Sequence, residues 1–319
     1  MATETGRGPE GATETGRRLA EAAKLTVFET DAERERDEAL DVPGAATFLG
    51  VDEEELAALV AQGDVPTGPR GLGYHDVAAL GLNSGLRTSV SEQGLMMMMR
   101  FARQPLDKLL APLEWSFQIQ VPADVTLTGP LEVRQPNEGG EFVSVETSAD
   151  GRALTGRLRT YGVEAAPFVS KAATELYDAW VSRLDSGALR FQWVSDEGRR
   201  HPALRVAEGR VDCVCMALVS AEELQHAGLA TRLESGRVLG LLDAQHVWTS
   251  VLDADGTWKR FDPLMEVHCR RLWGPDTPYG VVGRGHVSNA MPGWPGTTPV
   301  VTAGGTGVPY SFTARRERS

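Results

Sequence analysis

The chain has 319 residues, enough for two domains of roughly 150 residues each. It carries 32 Lys and Arg against 44 Asp and Glu, a net charge of −12, which disfavours broad binding to nucleic-acid backbones. Hydrophobic residues make up 41%, which excludes wholesale disorder. No run approaches the roughly 18 apolar residues of a membrane span, and the polar N-terminal stretch lacks the apolar centre of a secretory signal. Three cysteines make no disulfide framework, so a cytoplasmic setting is expected.

In chain order, residues 1–35 read as a disordered tail. ATETGR occurs twice there, and the segment is small, polar and charged. Residues 36–83 form a compact unit. Val42, Ala45, Ala46, Phe48 and Leu49 predict one short helix, stopped by Gly50, and Leu56, Leu59 and Val60 predict a second, closed by Gly63. Asp52 with Glu55 approximates a capping box. Two short helices about a glycine turn are a helix-turn-helix pattern.

The run VPGAATFLGVDEEELAALVAQGDVP resembles the MerR/excisionase-type helix-turn-helix, with GLGYHDVAAL as wing and following helix. In that family the second helix reads DNA bases. Here it begins Asp52-Glu53-Glu54-Glu55, and residues 31–90 hold twelve acidic and four basic side chains. DNA reading needs the opposite charge, so the expectation is a module for protein contact or substrate delivery.

Residues 84–165 are expected to be linker and β-rich segment. Met96–Met99 with Phe101 read as core or interface. Period-two runs at Trp115–Val121, Val125–Leu127, Leu131–Val133 and Phe142–Val145, punctuated by Pro and Gly, predict short strands. From Pro167 a helix is predicted with Ala172, Leu176, Trp180 and Leu184 on one face. A second helix begins near Asp212-Cys213 and stops at Gly228. Strands follow at Ala230–Gly240 and Gln245–Leu252, then a hairpin turn at Asp253–Gly256 and a return strand at Thr257–Asp262. Beyond about 265 the chain is rich in Gly and Pro and is expected to wrap and fray, with Arg315, Arg316 and Arg318 in a solvated tail.

An even hairpin register puts His246 and Asp262 on one face, opposite or diagonal, within reach of a hydrogen bond. An odd register separates them. Cys213 falls at a helix start, where the dipole favours thiolate and backbone N–H groups can hold an oxyanion. Thiol, imidazole and carboxylate are the nucleophile, base and orienter of acyl-transfer chemistry.

The pieces KAATELYDAWV, RVDCVCMAL, HAGLATRLESGRVLG, QHVW and GTWKRFDP, in that order, resemble the transglutaminase-like superfamily over residues 167–265. Gly228, Leu229, Arg232, Gly236, His246, Trp248, Trp258, Asp262 and Pro263 fall on its pattern. The resemblance implies an α+β fold with a papain-like core, a Cys-bearing helix on an antiparallel sheet, in residues 166–283. A Gly/Pro-rich extension over 284–319 would follow it. It also implies Cys213 as nucleophile, His246 as base and Asp262 as orienter, acting through a cysteinyl thioester on a peptide, protein or carrier-bound acyl substrate. No cofactor and no metal are implied. The acyl acceptor, water or amine, is left open.

Two positions depart from the family. Cys215 stands where an acidic residue is common, and Asp212 precedes the nucleophile, where it opposes a thiolate unless it caps the helix. The alternative reading is a non-catalytic DNA-binding or ligand-sensing protein. The remaining assignments are structural. Cys215 is core, and Trp248 and Trp258 are core or cleft wall. Arg232 forms an ion pair. His75, His201, His226 and His268 are surface or satisfied. Cys213, Cys215, His268 and Cys269 lack the spacing of a zinc site. His286 and Asn289 are candidates for a cleft wall, and Gln192 or Trp193 for a second oxyanion donor.

Overall fold

The computed structural model describes residues 13–164, 167–239, 244–277, 283–285 and 287–317. The front of the chain is helical: α1 Glu14–Leu25, α2 Asp31–Arg34, strand β1 Ala39–Leu40, α3 Val42–Leu49, α4 Glu53–Gln62, strand β2 Leu72–Gly73 and α5 Tyr74–Ser84. Next come α6 Val90–Met98, a 3-10 turn at Met99–Arg103 and α7 Leu106–Leu110. Strands β3 Leu113–Gln120, β4 Leu131–Val133, β5 Gly140–Thr147 and β6 Ala153–Thr160 precede helix α8 Lys171–Asp185. Then follow β7 Arg190–Phe191, α9 Pro202–Ala207, β8 Arg210–Val211, α10 Cys213–His226, β9 Thr231–Val238, β10 Ala244–Leu252 and β11 Trp258–Phe261. The chain closes with α11 Pro263–Trp273 and strands β12 Arg284–Gly285, β13 Gly293–Pro295, β14 Val301–Ala303, β15 Thr306–Gly307 and β16 Ser311–Arg316. The class is α+β, as expected. Among the described residues, no helix is long and apolar enough to cross a membrane.

The chain divides into two compact units, and neither is continuous in sequence. The first joins the residues up to Met96 with Gly187–Cys215. Its helices start and stop where local chemistry dictates. Asp41 caps α3 by accepting from the Gly44 N–H, and Asp52 caps α4 by accepting from the Glu54 N–H. Gly50 (φ 66°) and Gly63 (φ 79°) end them in the left-handed region. A Cβ on Gly50 would also lie 2.7 Å from Thr88 Cβ, so the turn is closed to other residues twice over. Leu19, Leu49, Leu56, Leu72 and Leu80 fill the core. No capping box forms at α4: Glu55 turns instead to accept from the Thr13 hydroxyl.

The predicted tail is corrected from residue 13 onward, and residues 1–12 lie outside the described set. Helix α1 buries Leu19, Ala22 and Ala23. Its apolar face consists mainly of alanines, too small to register as a stripe in a charged sequence. Thr30 and Glu33 form a full capping box on α2. Buried ion pairs then tie this front segment to the distant part of its unit. Arg210 contacts Glu29 at 3.4 Å and Glu33 at 3.3 Å, and Arg205 contacts Glu33 at 3.4 Å. Glu29 accepts from the Ser195 hydroxyl at 2.9 Å and from its N–H at 3.2 Å. A carboxylate removed from water needs such partners, so these pairs order the segment.

The second unit comprises Met97–Ser186 and Met216–Ser319. It holds an antiparallel sheet in the order β16-β3-β6-β5, a five-stranded sheet β12-β11-β10-β9-β13 and a small sheet β15-β14-β4. Trp115, Phe117, Ile119, Leu158, Trp294 and Phe312 form one core. The helix from Pro167 starts at Lys171 with Ser170 as cap, and its buried face is Ala173, Tyr177, Trp180 and Leu184. That face overlaps the predicted one only at Trp180 and Leu184. Val125–Leu127 forms no strand.

Among the described residues beyond 265, a helix and paired strands replace the expected fraying. Asp262-Pro263 launches α11, and β16 pairs with β3, with Arg315 opposite Ser116 and Arg316 opposite Trp115. Strand partners more than 190 residues apart leave no local pattern to read. Arg318 is outside the described residues.

Because α1 buries Leu19 in a packed core, Leu19→Ala opens a cavity there. It is expected to destabilise the protein by about 2–5 kcal/mol, read as a lowered urea midpoint. A disordered tail would show no change.

Candidate functional site

The β10–β11 hairpin carries the site. Leu252 pairs with Trp258 and Thr249 with Phe261, which is the even register. That parity puts His246 and Asp262 on one face of the hairpin. There His246 Nε2 lies 2.8 Å from Asp262 Oδ2, with the His246 and Asp262 side chains 5% and 0% exposed.

Asp262 is held from several sides. Pro263 occupies the first turn of α11, where its missing N–H is no loss. The other carboxylate oxygen, Oδ1, caps that helix by accepting from the Met265 N–H at 3.3 Å. The Asp262 carbonyl accepts from the Tyr177 hydroxyl at 3.3 Å. With Nε2–H donated to the carboxylate, Nδ1 is the basic nitrogen of a neutral His246.

Trp248 supports the imidazole from below. The two rings stack with centroids 5.7 Å apart, and the Arg260 guanidinium lies 4.0 Å from the Trp248 ring centroid. Arg260 is in turn anchored by Glu138 at 2.6 Å and the Met291 carbonyl at 3.1 Å. Gly236 and Gly293 leave room for the indole: a Cβ on Gly236 would lie 2.3 Å from Trp248 Cη2 and 2.5 Å from Pro292 O.

Arg232 is committed to a structural contact with buried Glu234 and stacks 4.5 Å from the Trp258 ring centroid. Trp258 is 40% exposed, not core. Burial drives the Glu234 carboxyl up to about 7, even though Asn137 donates to it.

Cys213 falls in the first unit and opens α10. It is half-exposed, whereas Cys215 and Cys269 are buried. Burial pushes both buried thiols up, with Asp212 adding to the effect at Cys215. The departure at Asp212 resolves by geometry. Its Oδ1 accepts from the Cys215 N–H at 2.8 Å as a helix cap, and its Oδ2 accepts from Arg199 Nε at 2.7 Å. Arg199 also lies within electrostatic reach of the Cys213 thiol. No sequence signal singled out Arg199, because its partner is thirteen residues away, a separation that matches no helical or strand period.

Within the second unit, residues 216–226 lie against the strand that carries His246. The Ala217 carbonyl accepts from Thr249 Oγ1 at 2.7 Å, and Ser220 Oγ lies 3.1 Å from the same hydroxyl.

The other candidates separate cleanly. His75 does have a partner, Asp37, at 2.7 Å. His268 is fully enclosed, and burial drives it down to about 3, so it stays neutral. His201 and His226 are exposed. With its amide turned to satisfy both ends, the Gln192 side chain is used by Val27 and Asn83. Trp193 stacks edge-on with Phe191. Asn289 donates to the Lys108 and Ala111 carbonyls, and His286 lies outside the described residues. Among the described residues, no group of three or more His, Cys, Asp or Glu side chains could hold a metal ion.

No family model matches the chain, and no curated protein does. Among solved structures it is similar to one named "a Putative Cysteine Protease from Cytophaga hutchinsonii". The identity is 8%, the match covers 66% of this chain and 92% of that one, and the TM-score is 0.33. A likeness this slight does not place the fold.

Two outcomes follow from the packing and the charge. Gly236→Ala drives a methyl into Trp248 and is expected to cost about 1–3 kcal/mol, seen as a lower melting temperature. Folded Glu234 keeps its proton up to about pH 7, and the unfolded residue only to about 4.3. Between those values the folded state binds more protons, so stability falls as pH rises. Glu234→Gln should therefore show a smaller loss of denaturant midpoint between pH 5 and pH 7.5 than wild type.

Proposed function

We propose that this protein is a thiol enzyme that makes or breaks acyl bonds through a cysteinyl thioester. Cys213 is the nucleophile, His246 the general base and Asp262 the residue that orients it. The observation that carries the reading is the buried His246–Asp262 hydrogen bond. A carboxylate bound to one ring nitrogen fixes the tautomer and stabilises the imidazolium that forms when the other nitrogen takes a proton. The position of Cys213 at a helix start supports the same reading.

In this scheme Cys213 Sγ forms a bond to the acyl carbon while its proton passes to His246 Nδ1. The carbonyl π electrons move to the oxygen. Asp212 takes the Cys215 N–H, so the Cys213 and Val214 N–H groups are the donors left at this helix start for the oxyanion. Collapse expels the leaving amine or thiol, which receives the proton from His246. Water or an amine, deprotonated by His246, then attacks the thioester and regenerates the thiol. Water makes the enzyme a peptidase or amidase, and an amine makes it an amide-forming acyltransferase. The substrate is a peptide, a protein or a carrier-bound acyl group. The α3–α4 module, with Glu53, Glu54 and Glu55 in the first turn of α4, serves a protein partner and not DNA.

The test is site-resolved alkylation with iodoacetamide, read by intact mass and peptide mapping. Label is expected at Cys213 alone, since Cys215 and Cys269 are buried. His246→Ala is expected to slow labelling at neutral pH by about tenfold or more, and Asp262→Asn by less, while Cys213→Ala abolishes it. Slow labelling unchanged by His246→Ala would overturn the proposal.

A further inference from the structure

The second unit contains a cavity of about 790 Å³ that the chemistry above does not use. That size lies within the usual range of small-molecule sites. Its apolar wall includes Met97, Met98, Phe101, Leu113 and Trp115. This accounts for part of the four-methionine run: Met99 is fully buried, whereas Met97 is 45% exposed. Methionines adapt their shape to a chain-like guest. Trp115 is a fixed wall, because its indole N–H donates to Thr160 Oγ1 at 2.8 Å.

Four arginines also line the cavity. Arg100 and Arg103 come from the 3-10 turn, and Arg315 and Arg316 from β16. All four are exposed, and Arg316 sits directly across the sheet from Trp115. Arg103 stacks 5.2 Å from the Trp273 ring centroid. Among the described residues, none of the four has a carboxylate partner. In a chain of net charge −12, four unneutralised guanidiniums around one apolar recess are a local reversal of sign. Such a patch attracts anions, and the planar guanidinium suits carboxylate or phosphate oxygens.

We propose that this cavity binds an amphipathic anion, a hydrocarbon chain ending in a single anionic head group. The chain lies against the methionines, Phe101, Leu113 and Trp115, and the head group lies among the arginines. A neutral apolar guest leaves the four charges unanswered, and a small inorganic anion leaves the apolar wall bare. Only a molecule with both parts matches both surfaces.

The test is isothermal titration of the full chain with dodecanoate and dodecyl phosphate, each below its micelle concentration, and with dodecyltrimethylammonium as the same chain bearing the opposite charge. One saturable site for at least one of the anions is expected, weaker at high salt, and none for the cation. The tighter anion identifies the head group. The double variant Arg100→Gln/Arg316→Gln is expected to weaken binding tenfold or more with an unchanged melting temperature. No saturable site for either anion, equal binding of the cation, or an unaltered affinity in the double variant overturns the proposal.

Discussion

The two oxygens of the Asp262 carboxylate hold together most of what is distinctive here. One caps α11 and the other binds His246. A fully buried carboxylate is tolerated only when its lone pairs are met by donors, and here a backbone N–H and an imidazole N–H supply them. The helix cannot start elsewhere without breaking the imidazole's support. The imidazole cannot turn without leaving the carboxylate short of a donor. Structural and chemical demands thus converge on one residue, with Pro263 setting the backbone that follows.

The same economy recurs at Asp212. A charge beside the thiol would oppose a thiolate if left bare. It is spent instead on the start of α10 and on Arg199. The hairpin is reinforced through aromatic and cationic stacking, with Arg260, Trp248 and His246 in one pile. Gly236 and Gly293 supply the space that this pile requires, so two residues without side chains are as necessary to the His246 position as the indole itself.

The first unit is organised by a different force. Its core is small and leucine-rich, and its discontinuous halves are joined by Arg205 and Arg210 acting on Glu29 and Glu33. Burial, with Glu33 nearby, drives the Glu29 carboxyl up to about 7. The front segment is therefore ordered by partners 166 to 181 residues further along the chain. Its own composition, polar and repetitive, argues for a tail.

What was legible in the sequence was local. The glycine stops at Gly50 and Gly63, the cap at Asp52, the helix from Cys213 and the hairpin at Asp253–Gly256 depend on neighbours within a few residues. Side-chain alternation and turn length limited His246 and Asp262 to one face or opposite faces. Which of those registers held, and that β16 joins β3, were decided by the tertiary pairing. The Arg199–Asp212 bond, the Glu29 lattice and the arginine-lined cavity were decided in the same way. Each of these joins groups whose separation along the chain follows no period, so only the folded arrangement brings them within the few ångströms over which charge, hydrogen bonds and packing act.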